Sequence, residues 1–133
     1  RAGKGWCYEG GIRVAFIVSG PKIINPGRTE EHLTVSMDLF PTILSLAGIK
    51  HNVNDGENLM PILLEQKPLL RDEIFWHYPH YHGSGWVPGS AIRKGDLEMV
   101  FYYEDNRAEL YNLAEDPYET SDLAVINPGK KKN

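Results

Sequence analysis

From Glu73 to Leu113 the sequence alternates with a period of two, and no other feature limits the fold as strongly. Ile74, Trp76 and Tyr78 fall on one face of a predicted strand that Pro79 ends. Residues 90–93 and 97–103 read as a hairpin about Lys94-Gly95-Asp96. In its second arm Leu97, Met99, Phe101 and Tyr103 share one face, while Glu98, Val100, Tyr102 and Glu104 share the other. Glu104-Asp105-Asn106-Arg107 turns the chain into a last strand over 108–113, closed by Ala114-Glu115-Asp116-Pro117. The pattern predicts an antiparallel sheet of three to four strands with a helix available to cover one face, an α+β arrangement.

The first half follows different rules. Residues 14–18 form a short β-branched and aromatic run bounded by glycine, which predicts a buried strand; Ser19-Gly20-Pro21 stops it, and Asn25-Pro26-Gly27 is a turn. A helix is predicted over 39–47, with Asp38 as N-cap, Pro41 in the first turn and Gly48 as the stop. Phe40, Ile43, Leu44 and Ala47 would give it an apolar face to pack on a core. A second, shorter helix is predicted over 58–65, after an Asp55-Gly56 turn.

Composition narrows the partners. Fourteen basic residues against 18 acidic ones leave a net charge of −4, so no basic surplus exists to displace counterions from a polyanion, and nucleic acid is not an expected partner. The terminal Lys130, Lys131 and Lys132 read as a short solvated tail. The longest purely apolar run, 14–18, is about a quarter of the ~20 residues a membrane helix needs, so no membrane span is expected. One cysteine, Cys7, excludes an internal disulfide framework and reads as structural, having no base partner nearby in sequence. The chain opens at Arg1 directly on a glycine-rich motif, which suggests a piece of something larger.

Three constellations could carry chemistry. Residues 3–13 hold four glycines with Lys4 and Arg13, a way to set a cation and bare backbone N–H groups where an anion could sit. The same composition also suits a crossover loop with a solvated lysine, and phosphate-loop spacing is absent. His77-Tyr78-Pro79-His80-Tyr81-His82 allows three readings: a metal site, which lacks an evident fourth ligand; a sugar-contacting loop flanked by Trp76, Tyr78, Tyr81 and Trp86; or an ordinary surface loop. The carboxylates Glu9, Asp38, Glu73, Asp96, Glu104, Asp105 and Asp116 are not spaced as a general acid/base pair.

Four segments taken in order carry a resemblance. Lys4-Gly5 with Glu9-Gly10-Gly11 and Arg13-Val14 resembles the second signature region of the type I sulfatases. Met37-Asp38-Leu39-Phe40-Pro41-Thr42-Ile43-Leu44, with Ala47-Gly48, is similar to the family's following helix. Asp55-Gly56 with Leu59, Pro61 and Leu63 matches the next segment. Glu109-Leu110-Tyr111-Asn112-Leu113, with Asp116-Pro117, Glu119-Thr120 and Leu123-Ala124, resembles its late strand and turn. The likeness runs from Gly3 to Ala124. Trp76-His77-Tyr78-Pro79-His80-Tyr81 and the Pro88 to Asp96 stretch look most like bacterial members acting on sulfated sugars. Ala15 replaces a usual proline, and Ser19-Gly20-Pro21-Lys22 replaces a Trp-Pro-Gly turn.

The resemblance implies the C-terminal part of an alkaline phosphatase-like α/β sulfatase. Residues 1–68 would be the last strand and helices of the large domain, and 69–133 a small antiparallel subdomain. It implies that Lys4 contacts the sulfate, that Glu9 and Arg13 hold the loop, and that His77 and His80 contact a sugar. The nucleophile, a formylglycine made within a Cys/Ser-x-Pro-x-Arg motif, and the calcium ligands would lie upstream. No cofactor or metal is then expected on this chain, and alone it would be inactive and prone to self-association. An exported location, periplasmic or secreted, is likewise implied. Two alternatives stand beside this: a non-catalytic carbohydrate-binding module using the aromatic residues, and a phosphoryl-transfer enzyme of the same superfamily.

Overall fold

The computed structural model describes residues 1–52 and 55–126; the tail lysines lie outside the described residues. In chain order the elements are α1 (Glu9–Ile12), a 3-10 turn (Ser36–Asp38), α2 (Leu39–Leu46), α3 (Met60–Glu65), β1 (Glu73–Tyr78), β2 (Gly89–Lys94), β3 (Leu97–Tyr102), β4 (Arg107–Asn112) and α4 (Leu123–Ile126). Two compact units result. Arg1–Ala15 packs with the described residues from Glu73 onward, and Phe16–Asp72 forms the other.

The first unit is an antiparallel meander in the order β1-β2-β3-β4. Trp76 stands opposite Ala91, Ala91 opposite Val100, and Val100 opposite Glu109, so alternate residues of all four strands share a face. Gly95, with φ +55°, opens the two-residue turn between β2 and β3, the position where such hairpins want glycine. The buried face carries Ala91, Val100, Tyr102 and Tyr111, together with Cys7, Tyr8, Trp86 and Leu113. Residues 6–8 cover that face from the N-terminal loop, while α4 lies against β4. The face of β3 that is sealed is therefore the one holding Glu98, not the more apolar face of Leu97, Met99 and Phe101.

The second unit is held largely by polar contacts. The helix expected over 39–47 is present as α2, but its buried residues are Pro41 and Thr42, while Phe40 and Ile43 are exposed. The expected apolar face is thus not the packed one. Thr42 Oγ1 donates to the Asp38 carbonyl at 2.6 Å and accepts the Leu59 amide at 2.9 Å, which turns that side of the helix inward. Asp38 is not a simple helix cap: its side chain makes no cap bond to α2. The carboxylate accepts the amides of Val35 (2.9 Å) and Glu57 (2.8 Å) and both arms of the Arg71 guanidinium, at 2.7 Å each. A small apolar cluster of Leu59, Ile62 and Leu69, with Leu63 against it, completes this unit.

The strand expected at 14–18 does not form. These residues belong to no ladder among the described residues, and Val14 and Ile17 are 76% and 89% exposed. A strand needs backbone partners on at least one side, and apolar, β-branched composition does not provide them.

Candidate functional site

The glycine-rich loop folds back on itself so closely that two of its glycines are steric requirements. A Cβ on Gly11 would lie 2.1 Å from the Trp6 carbonyl oxygen, and one on Gly10 would lie 2.3 Å from that of Ala2. Residues 3–6 make a tight turn closed by the Trp6 amide on the Gly3 carbonyl at 3.2 Å. Gly5 supplies the positive φ of +90° that the third position of such a turn demands. Lys4 stands at the tip of this turn.

Buried polar contacts tie the loop to the sheet. The Tyr8 hydroxyl lies 2.5 Å from that of Tyr102 and donates to Glu109, which also accepts from Tyr111 at 2.7 Å and pairs with Arg107. Burial, then the bonds to Glu109 and Tyr102, push the Tyr8 phenol far above its usual range, so it stays a donor. Glu9 pairs with Arg93 of β2 at 3.0 Å and with Arg13, one helical turn on, at 3.2 Å. Its amide donates to the buried Glu119 at 3.1 Å. Glu9 and Arg13 thus spend their charges on one another and on the sheet.

Lys4 differs from them. It is exposed, and its ammonium has no hydrogen-bond or ion-pair partner among the described residues. A hollow of about 450 Å³ beside it is lined by Gly5, Trp6, Gly11, Trp76, His77 and Tyr78, among others. His77 therefore shares a hollow with the turn that carries Lys4, and its Nδ1 lies 2.7 Å from the Tyr103 hydroxyl. His80 does not line that hollow; its exposed ring meets the edge of Tyr78, with centroids 5.9 Å apart. The resemblance gives the third histidine of the run, His82, no contact of its own beside His77 and His80, yet its ring packs directly on Gly5. A glycine-spaced stretch, His82-Gly83-Ser84-Gly85, was the available signal for that close approach.

Other candidates are settled by burial. Cys7 is buried, and burial together with the nearby Glu98 charge pushes its thiol up to about 11, which makes it inert as a nucleophile at neutral pH. The aromatic platform is incomplete: Trp86 is a core residue, 1% exposed, stacked on Tyr78 and hydrogen-bonded to the Tyr78 carbonyl at 3.1 Å. A sugar cannot stack on it. No cluster of three His, Cys, Asp or Glu side chains among the described residues has the geometry to hold a metal ion.

These features can be set against known proteins. A family model described as N-sulphoglucosamine sulphohydrolase, C-terminal, matches residues 2–131. A sulfatase of Formosa agariphila is 35% identical over 98% of this chain, which spans 26% of that relative. An N-acetylglucosamine-6-O-sulfatase of Bacteroides thetaiotaomicron is 28% identical over 90% of this chain and 23% of its own length. The crystal structure of a Bacteroides thetaiotaomicron protein described provisionally as a sulfatase superposes with a TM-score of 0.81 at 28% identity, covering 97% of this chain and 29% of that one. The chain belongs to the sulfatase family and corresponds to its C-terminal α+β part. It spans about a quarter of the length of the curated relatives it matches.

Proposed function

We propose that the full-length protein hydrolyses sulfate monoesters of carbohydrates and that Lys4 is the residue of this chain that contacts the sulfate. The supporting observation is the contrast within one loop: Glu9 and Arg13 are tied down, while the Lys4 ammonium has no partner among the described residues and stands on a turn built by Gly5. A fixed ammonium there would oppose the negative charge that grows on sulfate oxygens and on the leaving oxygen as the ester bond breaks. In a site shielded from water, such a group is worth far more than in solution. His77, on the shared hollow, and His80, in the loop after it, are assigned to the sugar. The kinship with an N-acetylglucosamine-6-O-sulfatase supports a sulfated sugar as substrate.

The calcium ion and the formylglycine nucleophile that the family resemblance implies do not fit the described residues of this chain. Cys7 is sealed and lacks the modification motif, and the described residues offer no metal-binding cluster. Both groups are assigned to the rest of the protein; along the chain residues 1–68 would belong to its large domain and 69–133 to its small one, with the Arg1–Ala15 segment packed on the sheet of the latter. The isolated chain is accordingly inactive, and the location of the whole protein is periplasmic or secreted.

In the full-length protein, Lys4→Ala should lower kcat toward a sulfate ester about a hundredfold, corresponding to roughly 3 kcal/mol for one lost charge-stabilising donor. A wild-type rate in that variant would remove Lys4 from the site. Running the same assay with the matching phosphate ester separates sulfatase from phosphoryl-transfer activity. The isolated 133-residue chain, with Phe16, Ile17, Phe40 and Ile43 exposed, should self-associate, which light scattering would register as a mass above one chain.

A further inference from the structure

Residues 82–86 are stitched to the turn that carries Lys4 at three points. The His82 ring lies on Gly5, so close that a Cβ there would sit 2.1 Å from Nδ1. The Trp6 indole N–H donates to the Ser84 carbonyl at 3.1 Å. The Trp6 ring covers Gly85, where a Cβ would lie 3.3 Å away. Residues 82–86 are themselves rigid: the His82 amide donates to the Trp86 carbonyl at 3.1 Å and the Gly85 amide returns to the His82 carbonyl at 3.0 Å. Trp86 is anchored in the core beneath them.

The His82 ring is also fixed in rotation and tautomer. Its Nδ1 accepts the Ser84 amide at 3.2 Å and lies 2.8 Å from Ser84 Oγ. A nitrogen that accepts an amide N–H carries no proton, so in the neutral ring the proton is on Nε2. Such a ring is a stiff plate pressed on the one residue whose positive φ shapes the turn. The geometry points to His82 as a positioning residue for Lys4: held by Ser84 and carried by the Trp86-anchored loop, it fixes the Gly3–Trp6 turn and so the place of the ammonium. This rests on the assignment of Lys4 to the sulfate.

The test is a double-mutant cycle in the full-length enzyme with one sulfate ester. His82→Ala should lower kcat roughly 10- to 100-fold, the scale of an ångström-size misplacement, with KM little changed. In a Lys4→Ala background the same substitution should cost nothing further, because the group it positions is gone. A full additive loss in that background, or wild-type kcat for His82→Ala alone, would overturn the positioning role. His82→Asn puts an acceptor near the Nδ1 position and keeps Ser84 engaged, so it should retain more kcat than His82→Ala. It also serves if the alanine variant does not fold, since its loss must likewise vanish in the Lys4→Ala background; an additive loss would overturn the inference. Wild-type activity in Lys4→Ala alone would instead refute the sulfate assignment, so the two failures are distinct.

Discussion

Asp38 and Glu98 are both sealed from solvent, one in each compact unit, yet they meet opposite fates. Asp38 accepts four hydrogen bonds, two of them from Arg71. Burial works against its charge, but the Arg71 fork and the amides of Val35 and Glu57 outweigh it and hold the carboxyl below the usual aspartate range. No donor among the described residues reaches either oxygen of Glu98, whose carboxyl lies beside that of Glu119 and can bond to it only by carrying a proton. Burial first, then the neighbouring Glu119 and Glu9 charges, push Glu98 up to about 9 against a pull from Arg93, so it is neutral at pH 7. Equal burial therefore produces a charge in one unit and a neutral acid in the other, and the donors supplied by the surrounding chain decide which.

The largest effect that could break this contrast comes from Arg71→Ala. Leaving Asp38 buried and uncompensated should cost about 3–5 kcal/mol in urea unfolding. A loss below about 1 kcal/mol would mean the pair is not holding a buried charge.

Next in size is Tyr8→Phe, which probes a third buried acid, Glu109, whose donors include Tyr8, Tyr111 and Arg107. Losing one donor of several should cost about 1–3 kcal/mol by the same measurement. A neutral result would place Glu109 with Glu98 rather than with Asp38.

The smallest effect and the sharpest comparison lie in pH dependence. Glu98, with its folded value raised from about 4.5 to about 9, binds its proton more tightly folded than unfolded. Its contribution to stability is full below the unfolded value and is lost as pH rises through the window up to about 9. Asp38 has the reverse sign: its contribution is present above the ordinary aspartate value and is lost as pH falls through its depressed folded value. Glu98→Gln should flatten the fall in thermal stability between about pH 4.5 and about pH 9 and leave the limb below the ordinary aspartate value unchanged. An unaltered slope in that window would show that Glu98 does not carry the proton.

The elements themselves were largely legible. Alternation and turn residues located all four strands to within a residue or two, because a half-buried strand writes its pleat into the sequence. Pro41 and Gly48 marked α2 for similarly local reasons. The strand at 14–18 was misread because a ladder is a relation between segments, and apolar residues alone do not specify a partner. The sealed face of β3 was not legible either. Val100 and Tyr102 are packed by Cys7, Tyr8 and Trp86, and this covering takes Glu98 inside with them.

The sequence by itself determined the class of fold, the family, and Lys4 as a cation on a glycine-built turn, all of which depend on neighbours along the chain. Tertiary structure alone decided that Arg71 meets Asp38, that Arg93 meets Glu9, and that the His82 ring rests on Gly5. Those contacts join residues far apart in the chain, and hydrogen-bond geometry and desolvation act through space, where sequence separation has no say.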